Sequence, residues 1–215
     1  MKIPVNYRLI LASASPRRRE ILRQAQYEFE AIDPGEVENA IATAPTPEAL
    51  AIAKARAKAR DVAAQLKPPF PAVVVGVDTL VAAGDEIVGK PLDRMDAERI
   101  LERLSGTRHR VISGICLWLA RREGFTEEIL TADAPCQDAA TTWVTMRKMS
   151  AEEIAAYAAS GEADGKAGAY AVQETGDKFV EKMDGSFLNV VGFPLELFKE
   201  MLPKAERVWS LAIDD

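Results

Sequence analysis

Short apolar runs of strand length alternate along this chain with stretches whose apolar residues recur every three or four positions. Leu9 to Ala12 is such a run and predicts a buried strand. Ser15 and Pro16 then open a helix, serine as cap and proline as first helical residue, with Ile21 and Leu22 on its apolar side. Tyr27 to Ile32 alternates as a half-buried strand and runs into an Asp33-Pro34-Gly35 turn. Thr46-Pro47 begins the longest predicted helix, rich in alanine and stopped at Lys67-Pro68-Pro69. Ala72 to Val77 is continuous and mostly β-branched, a buried central strand ending in Asp78-Thr79, and Glu86 to Val88 returns beside it after a Gly84-Asp85 hairpin.

Asp93 caps a helix with the stripe Ala97, Ile100, Leu101 and Leu104, and Ser105-Gly106 ends it. Arg108 to Leu119 reads as a strand, and Thr141 to Arg147 as another, at an edge or as a hairpin partner. Ser150 and Glu153 form a capping box ahead of Ile154, Tyr157 and Ala158. From Ser160 to Gly168 the chain is small and polar, a loop suited to shaping a pocket. Lys178 to Lys182 predicts a short strand, Asp184-Gly185-Ser186 a tight turn, and the last helix starts near Pro194 and buries Leu197, Phe198 and Met201.

Composition narrows the class. With 215 residues, 48% of them hydrophobic and 28% charged, the chain has length for a sizeable core, as one domain or two closely joined lobes. No repeat, linker or lobe boundary is visible in it. A formal net charge of -6 argues against nucleic-acid binding by bulk electrostatics, so locally gathered cations point to a small anion. No run approaches a membrane span and no signal-peptide core opens the chain, so a cytoplasmic protein is expected. Cys116 and Cys136 lack metal-ligand or framework spacing and are expected as reduced thiols.

Arg17, Arg18 and Arg19 crowd the first turn of the first helix, where the macrodipole is already positive. Either they are a solvated basic face, or an anion on the free N–H groups reverses the sign of the interaction, and phosphate is the obvious anion. Lys54 and Lys58, four apart on the long helix, repel unless an anion lies beside them; two solvated lysines are the other reading. Asp78 closes a buried run, where a carboxylate needs a partner, a metal or backbone donors, and it is the best candidate for a catalytic carboxylate. Gly84 to Lys90 spells G-x-x-x-x-G-K, but Pro91 follows where a P-loop needs Ser or Thr, which leaves Lys90 as a phosphate ligand outside any P-loop. His109, the single histidine, builds no metal cluster, and no nucleophile elbow accompanies it. Gln173 offers an amide, donor and acceptor together, to a base edge.

Four stretches, in this order and spacing, resemble the Maf family of nucleoside triphosphate pyrophosphatases over almost the whole chain. They are ASASPRR from Ala12, VDT from Val77 with GKP from Gly89, LSG from Leu104, and KAGAYAVQ from Lys166 leading to DGSFLNVVGFP from Asp184. The resemblance implies an α/β, inosine-triphosphatase-like fold, an elongated mixed sheet flanked by helices, forming one domain of two lobes with a central cleft. It implies cleavage of a nucleoside triphosphate to monophosphate and pyrophosphate with a divalent cation, Mg2+ or Mn2+, and it makes a homodimer plausible. Carried over by position, Asp78 looks like the family's catalytic base; Ser13, Arg18, Lys58 and Lys90 match polar and phosphate-binding positions, and Glu38 the acidic loop residue. Asp78 as a holder of the metal, with Glu38, stays open beside Asp78 as base. Arg17, Thr79 and Gln173 resemble the branch that hydrolyses dTTP and UTP, whereas Glu174 stands where that branch usually has glycine. The alternatives are a pyrophosphatase for a modified nucleotide such as 7-methyl-GTP, and a non-catalytic nucleotide-binding regulator of septum formation.

Overall fold

The computed structural model describes residues 7–69, 71–120, 137–173 and 175–211, with side chains described to residue 207. Cys136 and Glu174 lie outside the described residues. Seven strands form one mixed sheet: β1 (Arg8–Ala12), β2 (Glu30–Ile32), β3 (Ala72–Ala83), β4 (Glu86–Val88), β5 (Arg108–Ala120), β6 (Gln137–Met146) and β7 (Val180–Asp184). Their order is β2-β1-β3-β5-β6-β7, with β4 beside β3. β1 pairs in parallel with β2 and β3, and every other pairing is antiparallel. The helices are α1 (Pro16–Gln24), α2 (Pro47–Gln65), α3 (Arg94–Leu104), α4 (Ala151–Ala159), α5 (Phe187–Val191) and α6 (Leu195–Leu211). The expected α/β architecture of a mixed sheet flanked by helices is therefore present. Among the described residues no helix is long and apolar enough to cross a membrane.

Alternation along the strands sends residues to two faces. Leu9, Leu11, Val73, Val75 and Val77 face one layer together with Ile21 and Leu22 of α1 and Phe198 of α6. Ile10, Ala12, Val74 and Trp118 face the other, under α2. Since α1 follows β1 on one face and α2 follows β2 on the opposite face, the chain reverses its winding at the carboxyl end of β1, where open α/β sheets leave a crevice. The same place is open along β3. β1 pairs with β3 only as far as Gly76, and the pairing with β4 starts at Val81, so Val77 to Leu80 lack a neighbour on that edge among the described residues.

α2 lies unusually close to the sheet because two strand residues have no side chain. A Cβ on Gly76 would stand 2.0 Å from the Ala55 carbonyl oxygen, and one on Gly114 2.2 Å from the Ala51 carbonyl carbon. The alanines of the helix are the other half of that fit: Ala51, Ala55 and Ala59 are fully buried. Thr46 caps the Ala49 amide at 3.1 Å, as its position before Pro47 predicts.

Several boundaries differ from expectation. β2 covers only Glu30–Ile32, because Tyr27 is buried against Phe198, ring centroids 5.2 Å apart, rather than paired in the sheet. β3 does not end at Asp78; it continues to Ala83, its outer half held by β4 and β5. β6 is no edge strand, since β7 covers it. The predicted strand at Lys178 is displaced to Val180–Asp184, preceded by a 3-10 turn over Thr175–Phe179. Ser186, expected in a turn, also caps the five-residue α5. Leu197 is only half-buried, while Leu202 and Ala205 complete the apolar face of α6.

Gly76→Ala is expected to lower the free energy of unfolding by about 3 kcal/mol, as backbone of α2 must retreat. Urea denaturation measures this, and a loss under about 0.5 kcal/mol would show that α2 is not held at contact distance.

Candidate active site

The open edge of β3 forms one wall of a cavity of about 200 Å³. Asp78 and Thr79 project to opposite faces of the strand, yet both reach it, because no neighbouring strand separates the faces there. On the α2 side, Lys58 Nζ donates to Asp78 Oδ1 at 2.6 Å and pairs with Glu38 Oε1 at 2.7 Å. Lys58 and Asp78 are 6% and 8% exposed, a burial that a lone charge would not tolerate but that a paired, hydrogen-bonded set does. Glu38 arrives on a 3-10 turn (Val37–Ala40) in the β2–α2 connection. Burial would push its carboxyl up, but the hydrogen bond from Lys58, a backbone amide and the charges of Lys58 and Lys90 outweigh that and hold it below the usual glutamate range. Glu38 Oε2 is buried and has no hydrogen-bond partner among the described residues.

On the other side lies the first turn of α1. Ser15 accepts from the Arg18 amide at 3.5 Å, a long version of the expected cap. The three arginines separate in role. Arg18 is held by three bonds: Nε donates to Gly192 O at 2.8 Å, Nη1 to Ser13 Oγ at 3.1 Å and Nη2 to Thr79 Oγ1 at 3.3 Å. Burial pulls its pKa below the ordinary arginine value, with Asp78 and Glu38 opposing and Arg17 adding to the fall. Arg19 turns back to the Ser13 carbonyl at 3.3 Å. Arg17 and Lys90 line the cavity and make no hydrogen bond or ion pair among the described residues, so both are available to an incoming anion.

Of the residues expected from sequence, the structure brings Arg17, Arg18, Glu38, Lys58, Asp78, Thr79, Lys90 and Gln173 to one cavity. Ser13 lies just behind it, 3% exposed, holding Arg18 and the Ser15 amide. Lys54 does not line it, although it shares a helix with Lys58. Ser113 and Gly192 are partners the sequence did not single out: Ser113 Oγ lies 2.9 Å from Thr79 Oγ1, and Gly192 receives Arg18. Val81, Val111, Tyr170 and Val172 supply an apolar part of the lining, with Lys166 of the same loop also reaching the cavity. Tyr170 and Val172 lie within the KAGAYAVQ stretch, whereas Val81 and Val111 have the spacing of ordinary core.

His109 is fully buried behind this part of the lining, its Nε2 2.7 Å from the Tyr170 hydroxyl. Its Nδ1 has no partner among the described residues. A bare lone pair is cheaper to leave there than a bare N–H, so the proton belongs on Nε2, donating to Tyr170. Burial lowers its pKa from 6.5 to about 4. Among the described residues no three His, Cys, Asp or Glu side chains gather as a metal cluster.

A profile for Maf-like protein matches residues 8–205. A dTTP/UTP pyrophosphatase of Geotalea uraniireducens is 43% identical over 187 residues, covering 87% of this chain and 89% of that one. A dTTP/UTP pyrophosphatase of Vibrio cholerae is 40% identical over 201 residues, covering 92% and 97%. The HAM1 protein of Coxiella burnetii aligns over 66% of this chain and 74% of its own at 18% identity and TM-score 0.36, too loose a likeness to argue from.

His109 gives a direct test, because it is the single histidine of the chain. Its imidazole signals in NMR are expected to stay neutral from pH 8 to 5, in the Nε2–H tautomer, and to titrate near pH 4. The unfolded chain takes up this proton near pH 6.5 while the folded one refuses it until about 4. Stability is therefore full above pH 6.5 and falls toward pH 4, by on the order of 3 kcal/mol from this group. An imidazole titrating at 6.5 in the folded protein would contradict the burial.

Proposed function

The chain belongs to the Maf family, and on that membership and the cleft we propose that it is a pyrophosphatase that hydrolyses dTTP and UTP to the monophosphate and pyrophosphate. The observation that carries this is the Lys58 clamp on Glu38 and Asp78, facing the open first turn of α1 across one cavity. Hydrolysis of a phosphoanhydride needs placement and charge neutralisation more than covalent help. Arg17 and Lys90 draw in the polyphosphate, while Arg18, fixed by three acceptors, presents a rigid positive face. Asp78 gives one oxygen to Lys58, and its Oδ2 is left to take the proton of the water that attacks the α-phosphorus as pyrophosphate leaves.

The donor set also fits a hard divalent cation, Mg2+ or Mn2+, because Glu38 Oε2 is buried without a partner among the described residues while its carboxylate shares Lys58 with Asp78. When bound, the ion supplies further neutralisation of phosphate oxygens. Thr79 and Gln173, at the cavity wall and rim, belong in this reading to nucleotide selection with Arg17. A single domain of two lobes, action on nucleotides in the cytoplasm and assembly as a homodimer complete the proposal, with the negative net charge speaking against nucleic acid as a partner.

A pyrophosphate-release assay with Mg2+ or Mn2+ on dTTP, UTP, CTP, GTP, 7-methyl-GTP and ITP is expected to favour dTTP and UTP. Preference for 7-methyl-GTP would discard the specificity, and binding without release would discard catalysis. Asp78→Asn is expected to lower kcat by roughly 10³-fold with the fold retained by circular dichroism, and near-normal turnover would remove Asp78 from the chemistry. Arg17→Ala should raise KM for dTTP by about tenfold through loss of a charge-assisted phosphate contact. An unchanged KM would return Arg17 to a solvated face.

A further inference from the structure

The lining of the cavity has one aromatic side chain among the described residues, Tyr170, and the fold holds it from two sides. Its hydroxyl meets His109 Nε2 at 2.7 Å, with the rings edge-on at 5.5 Å and 81°. Its backbone leaves a turn in which Gly168 and Ala169 have φ of 75° and 57°. Ala169 is thus left-handed, a conformation that an L-residue keeps only against strain. A side chain at 168 would begin 3.1 Å from both Tyr170 Cε1 and Val81 Cγ2, so the ring is packed directly on that turn. The Gly168 amide in turn donates to the Gly89 carbonyl at 3.1 Å, tying the turn to the segment that carries Lys90. Strained backbone persists where the surroundings over-determine it, typically at a ligand clamp.

We infer that the ring of Tyr170 is the wall against which the nucleoside end of the substrate rests, and that His109 is the positioning residue that fixes it. The inference rests on the proposed triphosphate site. With the polyphosphate drawn to Arg17 and Lys90, the remainder of the ligand lies along Val81, Val111, Val172 and Tyr170. An aromatic face accepts a base by stacking without needing hydrogen-bond matching. Selection among bases is left to polar groups such as Gln173, which lines the same cavity.

The test compares two probes: α,β-imido-dUTP, which carries a base and resists cleavage, and inorganic tripolyphosphate, which has none. In calorimetric titrations Tyr170→Ala is expected to weaken imido-dUTP roughly tenfold while tripolyphosphate changes by less than about twofold. Tyr170→Phe keeps the ring but loses its anchor, and a smaller loss confined to imido-dUTP is expected. In the wild-type protein the single imidazole signal should move with imido-dUTP and stay with tripolyphosphate. Equal weakening of both probes, or of neither, overturns the inference, as does an imidazole signal that responds alike to both. Should Tyr170→Ala fail to fold, Tyr170→Phe and the imidazole signal make the same comparison. Wild-type protein that binds imido-dUTP but releases no pyrophosphate from dTTP defeats the proposed chemistry and leaves the wall standing. Protein that binds neither probe defeats both.

Discussion

The site depends on one ammonium group held between two carboxylates. Lys58 Nζ at 2.6 Å from Asp78 and 2.7 Å from Glu38 turns two buried charges and a half-buried one into a bonded set. Two acids on one base leave that set negative, and removing Lys58 would strand both carboxylates in a poorly hydrated wall. Arg17, Arg18 and Lys90 surround it, so the cavity as a whole is positive inside a chain whose formal net charge is -6. That contrast matters for a polyanion: the general surface repels it while one crevice attracts it, which favours entry at one place.

The clamp is possible only because of how α2 meets the sheet. A lysine on a helix at ordinary packing distance would deliver its ammonium elsewhere; here Gly76 and Gly114 remove the side chains that would hold the helix away. The alanine face of α2 is therefore a packing requirement of the site as much as a helix-forming preference. The other requirement is the missing neighbour of β3. Were β1 to continue alongside Val77 to Leu80, Asp78 and Thr79 would face separate layers and could not meet one ligand. β1 instead turns at Ser13 into α1, and the same turn delivers Arg17 and Arg18.

Residues whose roles are set by neighbours in sequence were legible. Ser15-Pro16, Thr46-Pro47, Asp93 and the Ser150-Glu153 box begin helices as read, since a cap is a local device. Asp78 was legible as a carboxylate out of place in an apolar run, but its position inside β3 was not, because pairing with β5 on one side carries the strand past it. Lys54 and Lys58 look alike in sequence; only the approach of α2 buries one at Asp78. The split among Arg17, Arg18 and Arg19 was equally hidden, for it rests on the Gly192 carbonyl, 174 residues away from Arg18. Tyr170 and His109 are separated by 61 residues and carry no local signature of their contact. Tyr27 misled through its alternation, which reflects packing on Phe198 and not strand pairing.

The buried histidine holds the Tyr170 ring without adding a charge behind it. A triphosphate and its nucleoside are distinguished most simply by charge, so a crevice that binds them in one direction needs its positive charge concentrated where the phosphates lie. An imidazolium at position 109 would add positive potential behind the ring and weaken that bias. Burial prevents it by lowering the His109 pKa to about 4, far below neutrality, while leaving the ring able to hold the Tyr170 hydroxyl. Replacing the histidine with an aliphatic residue would keep this position neutral but release the tyrosine, and replacing it with lysine or arginine would place a permanent donor and charge there. A buried, neutral imidazole meets both demands, anchoring the ring without drawing the polyphosphate toward it.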